Sequence, residues 1–127
     1  QLGLPDMKTP IQYPLTYPKR LKNFQAELNL AEIKTLDFRE PDFDMFPCLK
    51  YAYEAGAIGG TMPAVMNASN EAAVNAFLEN KIRFLDIQMI IKKMMERHKV
   101  TKNPSLKDIL EIDKKVKEET GRIIKEL

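Results

Sequence analysis

The sequence predicts a mainly α fold: a small four-helix bundle preceded by an extended, proline-containing linker with little strand. Three observations carry this. Beyond residue 44, apolar side chains recur at i, i+3 and i+4 spacing in four stretches. Cap residues and glycines divide those stretches into lengths that suit a bundle. Four of the eight prolines fall within the first twenty residues, which excludes a long regular helix there.

At the start, Thr9 is expected to cap one short helix, with Pro10 in its first turn and Gln12 at the capping-box position. Pro14 should kink or end it. Residues 18–43 form the linker, with Phe24, Leu28, Leu30, Ile33, Leu36 and Phe38 as scattered anchors and Thr35-Leu36-Asp37-Phe38 as a candidate short strand. Asp44 is expected to cap the first helix of the bundle, with Pro47 in its first turn and Gly56, Gly59 and Gly60 as its stop. Thr61 then opens an Ala-rich second helix through Val65, Ala68, Ala73, Ala76 and Phe77 to about Asn80. Asp86 opens a third, where Ile87, Ile90, Ile91, Met94 and Met95 form one stripe. Ser105 opens the fourth with Asp108 completing a capping box, and Leu106, Ile109, Leu110, Val116, Ile123, Ile124 and Leu127 as its apolar face.

Composition excludes several classes of function. Lys plus Arg number 20 against 18 Asp plus Glu, interleaved along the chain, so no basic stripe awaits a nucleic acid. The apolar run from residue 87 to 95 is broken by Gln88, Lys92 and Lys93, well short of the roughly 20 residues that span a bilayer. One Cys and one His cannot build a Cys/His zinc site or an internal disulfide. A cytoplasmic location is the expectation. The opening Gln1-Leu2-Gly3-Leu4, apolar and without an initiator Met, reads as a cut through a longer chain.

Individual motifs offer little chemistry. The glycines at 56, 59 and 60 match neither dinucleotide nor P-loop spacing and read as punctuation. His98, between Arg97 and Lys99, is expected to be a cation at a helix C-terminus. Cys48 is expected to be a small buried residue, and Asp37, Glu40, Asp42 and Asp44 to serve solvation and capping, lacking the Ca²⁺-loop pattern. The methionines, Met89, Met94 and Met95 among them, are expected to fill the core. The most distinctive feature is Asn67-Ala68-Ser69-Asn70-Glu71, where Asn67, Asn70 and Glu71 share one helix face. A buried polar network fixing the linker onto the bundle is the expected role, with ligand binding as the alternative.

Four segments carry a family resemblance: Gln1-Leu2-Gly3-Leu4-Pro5-Asp6-Met7-Lys8-Thr9-Pro10-Ile11, Pro41-Asp42-Phe43-Asp44-Met45-Phe46-Pro47-Cys48-Leu49-Lys50, Asn67-Ala68-Ser69-Asn70-Glu71 and Ile82-Arg83-Phe84-Leu85-Asp86-Ile87. In this order they resemble the C-terminal part of 1-deoxy-D-xylulose 5-phosphate reductoisomerase. The resemblance implies a parent enzyme of non-mevalonate isoprenoid biosynthesis. It converts 1-deoxy-D-xylulose 5-phosphate to 2-C-methyl-D-erythritol 4-phosphate with NADPH and a divalent metal, Mg or Mn, and is homodimeric. It implies three parts: residues 1–17 as the end of the catalytic domain, 18–43 as linker and 44–127 as the helical C-terminal domain. Pro5 and Met7 would be apolar contacts beside the substrate. The family's catalytic, NADPH-binding and metal-binding residues lie upstream of Gln1, so none is assigned here, and the chain alone is expected to be inactive and to bind no cofactor. Its partner would be the remainder of the enzyme. Lys8 stands where the family usually has Arg, and Ser69 where it usually has Ala. A free-standing helical interaction module is the rival reading.

Overall fold

The computed structural model describes residues 3–4, 6–22 and 26–127, and every secondary-structure element among them is helical. The chain divides into two compact units, residues 1–39 and 40–127. The first holds α1 (Lys8–Thr16) and the single turn α2 (Leu30–Ile33). The second is a four-helix unit of α3 (Pro47–Ile58), α4 (Met62–Leu78), α5 (Phe84–Arg97) and α6 (Leu106–Lys125).

In the first unit α1 begins earlier and runs further than the sequence predicts. Met7, not Thr9, is its N-cap, and the Asp6 carboxylate accepts from the Lys8 N–H at 2.8 Å. Pro14 lies inside the helix, which continues to Thr16. The hydrogen bond that Pro14 cannot make falls in a helix with no buried residue, where water can take up the freed carbonyl. Residues 35–38 form no strand, for want of a partner edge to receive their backbone groups. Local order goes instead to α2, capped by Asn29, whose side chain accepts from Ala31 N–H at 3.1 Å.

α4 organises the second unit. Val65, Ala68 and Ala73 have no exposed surface, and α5 and α6 both pack extensively on this helix while touching one another little. Small side chains are what allow one helix to serve two neighbours at close range. The predicted stripe of α5 is buried at every position, from Ile87 to Met95, with Ile90 and Ile91 at its centre. α3 is held more loosely, with Ala55 its one buried residue.

Four boundary expectations are corrected here. Asp44 caps nothing; Asp42 Oδ1 accepts from the N–H groups of Asp44 and Met45 at 3.0 and 2.8 Å, and α3 starts at Pro47 after Phe46. Gly56 lies inside α3, and the stop is Gly59, whose φ of 68° a side chain resists. α5 starts two residues ahead of Asp86, which occupies the third helical position and accepts from the Arg83 N–H at 2.8 Å. On α6 the Ser105–Asp108 capping box forms as predicted, but Leu106, Leu110 and Leu127 are exposed. At about 100° per residue, Leu110 is turned roughly 120° from Val116 while Ile112 and Ile109 lie beneath it. The buried face is thus Val116, Thr120 and Ile123, flanked by half-buried Ile109 and Ile112.

Candidate functional site

Three places hold the residues singled out above. The first is the N-terminal segment. Pro5 lies outside the described residues, and Met7, just ahead of α1, exposes 68% of its surface. An unbranched thioether held largely open at a helix start can serve as a movable apolar contact. Behind it Tyr13 and Tyr17 meet edge to face at 5.8 Å, and the Arg20 guanidinium stacks on Tyr13 at 4.6 Å, stiffening the far side of α1.

The second is the polar stretch of α4. Asn67 and Glu71 are exposed and Asn70 is half-buried. Glu71 pairs with Lys117 of α6 at 2.5 Å, and Asp113 joins the same ammonium at 3.1 Å. These carboxylates raise the Lys117 pKa, so the tie between α4 and α6 keeps its charge. The polar member that is buried is Ser69, whose hydroxyl donates to Val65 O at 2.8 Å within its own helix.

The third is a junction that spacing alone does not reveal. The fully buried Thr61 hydroxyl lies 2.7 Å from His98 Nε2, and it accepts from the Thr101 N–H at 3.1 Å. Thr61 N–H in turn donates to Thr101 O at 3.1 Å. The start of α4 is therefore clasped to the segment that follows α5. A neutral imidazole fits best, since its bare Nε2 can take the hydroxyl proton that otherwise has no acceptor. Burial and the Lys115 charge hold the His98 pKa below its usual value, in agreement with the neutral form. The expectation of a cationic His98 is thereby corrected, because the ring is half-buried against Thr61 rather than displayed to solvent.

Other candidates prove structural. Cys48 is half-buried, and burial raises its pKa, which disfavours the thiolate. Met94 and Met95 are buried as expected, whereas Met89 is half exposed, on the outer side of α5. Among the described residues no three His, Cys, Asp or Glu side chains gather closely enough to hold a metal ion. The glycine turn offers no phosphate cradle either. A Cβ on Gly60 would meet the Thr101 carbonyl at 2.3 Å, so the open side of that turn is already filled by protein.

The family described as the DXP reductoisomerase C-terminal domain matches residues 2–119. This chain belongs to that family. Its similarity to 1-deoxy-D-xylulose 5-phosphate reductoisomerases extends over nearly all of its length. The enzyme of Bacillus pumilus is 56% identical over 119 residues, 93% of this chain and 31% of that protein. That of Pelotomaculum thermopropionicum is 47% identical over 127 residues, all of this chain and 33% of that protein. The chain thus spans about a third of the length of the curated relatives it matches. Among solved structures, the Zymomonas mobilis reductoisomerase in complex with NADPH superposes with a TM-score of 0.83 at 40% identity, over 100% of this chain and 34% of that one. A reductoisomerase crystal structure with fosmidomycin and magnesium gives 0.81 at 39% identity, over 98% and 33%.

Proposed function

We propose that this chain works as the C-terminal part of an NADPH- and Mg- or Mn-dependent reductoisomerase that converts 1-deoxy-D-xylulose 5-phosphate to 2-C-methyl-D-erythritol 4-phosphate. The observation that carries the reading is the unbroken family match over residues 2–119, at about half identity to enzymes three times as long. Residues 1–17 complete the catalytic domain, residues 18–43 link it to the bundle, and residues 44–127 brace it. The parent enzyme works in the cytoplasm as a homodimer.

Within this division of labour the chain does no bond chemistry. Pro5 and Met7 close an apolar side of the substrate pocket, and Met7 suits the task because its side chain is exposed and unbranched. NADPH and the metal are held by residues outside this chain. Asn67, Asn70 and Glu71 act structurally, with Glu71 tying α4 to α6 through Lys117.

The test uses two proteins. The 127-residue chain is assayed for NADPH consumption with the substrate and Mg²⁺, and substrate-dependent turnover would refute its supporting role. The full-length enzyme carrying this segment is compared with its Met7→Ala variant. Loss of an apolar contact of roughly 1 kcal/mol should raise KM about fivefold with an unchanged melting point. Unaltered KM and kcat would remove Met7 from the pocket.

A further inference from the structure

A cleft of about 370 Å³ opens between the end of α5 and the middle of α6, lined by Met94, Arg97, His98, Lys99, Ile112, Lys115, Val116 and Glu119. Its volume lies within the range of small-molecule sites. The floor is apolar: Met94 and Val116 are buried and Ile112 is half-buried. The rim is cationic. Lys115 is 3.8 Å from Glu119, its one carboxylate partner among the described residues, whereas Arg97 and Lys99 have none within 4.0 Å. Three fixed positive charges against one negative charge also outweigh the half unit of negative charge at the α5 C-terminus. Neither the bundle packing nor the proposed role of Met7 makes use of this arrangement.

We propose that this cleft binds a small amphiphilic anion, a phosphate or carboxylate head on a short apolar body. The head meets Arg97, Lys99 and Lys115, and the body covers Ile112 and Val116. Exposed lysines alone hold a free anion weakly, because water and salt screen them. The apolar floor is what selects a head with a tail over a bare ion. Around the His98 ring stand Arg97 and Lys99 from its own segment, Lys115 and Glu119 from α6, and the Thr61 hydroxyl from α4. An anion among these charges offsets Lys115, which now disfavours the imidazolium, so occupancy should raise the His98 pKa.

The experiment is an NMR titration of the 127-residue chain with ethyl, butyl and hexyl phosphate, hexanoate, hexanol and inorganic phosphate. Each sheltered methylene should tighten binding roughly threefold, so hexyl phosphate should exceed inorganic phosphate at least tenfold. Shifts should centre on Ile112, Lys115 and Val116. A phosphate-specific site will favour hexyl phosphate over hexanoate, and a general anion site will take both. Arg97→Gln and Lys115→Gln, both at exposed positions, should each weaken binding severalfold with unchanged folding. Equal affinity for hexanol, no dependence on chain length, or indifference to both substitutions would overturn the proposal. So would loss of binding in the full-length enzyme, which would show the cleft to be a surface covered by the rest of that protein.

Discussion

Gly60→Ala probes the junction between α3, α4 and the segment after α5. Two separate costs arise there. Gly60 has a φ of 57°, which costs an L-residue about 1–2 kcal/mol. An added Cβ would also lie 2.3 Å from the Thr101 carbonyl oxygen and 3.1 Å from the Lys102 Cα, both parts of the backbone. The segment must therefore move, and it is held by Thr61 N–H to Thr101 O and Thr101 N–H to Thr61 Oγ1, both at 3.1 Å. Losing these two bonds adds about 1 kcal/mol each, for a total of roughly 3–4 kcal/mol. Gly59→Ala is the control, since Gly59 has a φ of 68° but open space around its Cβ position. It should cost about 1–3 kcal/mol, the backbone strain alone. Urea denaturation followed by circular dichroism gives both values, and amide exchange at Thr101 reports the clasp directly. A Gly60→Ala loss no larger than the roughly 1–2 kcal/mol of backbone strain, with Thr101 still protected, would show that residues 100–102 yield freely and would refute the close-approach argument.

Two further tests follow from burial and charge. Ile91→Ala should destabilise the chain by roughly 2–4 kcal/mol, whereas Leu110→Ala, at a 61% exposed position, should stay within about 0.5 kcal/mol; comparable losses in denaturant midpoint would mean that the α6 face is misassigned. The depressed folded-state pKa of His98 means that the unfolded chain takes up its proton first as pH falls. Its stabilising contribution is therefore complete above the unfolded value near pH 6.5 and is lost as pH drops toward the lower folded value. Asp86 and Asp108, whose pKa values are lowered by hydrogen bonds with Arg83 and Ser105 respectively, contribute above the unfolded value near pH 4 and lose that contribution below it. Thermal melts of the chain and of His98→Gln between about pH 7.5 and pH 5 should show the upper loss only in the unsubstituted protein. A similar slope in both would exclude His98 as its source.

Much of the helical unit was legible because periodicity and burial coincide along α5, where all five stripe residues are inside. On α6 they part. Leu106 and Leu110 are apolar but occupy a second, exposed phase, and spacing alone cannot say which of two apolar phases meets a neighbour. The Ser105–Asp108 cap was readable because its partners are three residues apart. The Thr61–His98–Thr101 clasp was not, because its partners are brought together by the tertiary fold across 37 and 40 residues. Pro14 shows the limit of a local rule: the lost bond is cheap in a short helix open to water. The candidate role of Met7 came from resemblance, since nothing in composition distinguishes it from the other methionines.

The alanine seam of α4 has an uneven effect on how freely this segment can drift in sequence. A side chain enlarged at 68 or 73 has no open space to enter, and the two helices packed on α4 have little direct contact through which to adjust together. Change should therefore accumulate on the outward surfaces of α3 and α6, while the middle helix retains its small residues for reasons of space alone.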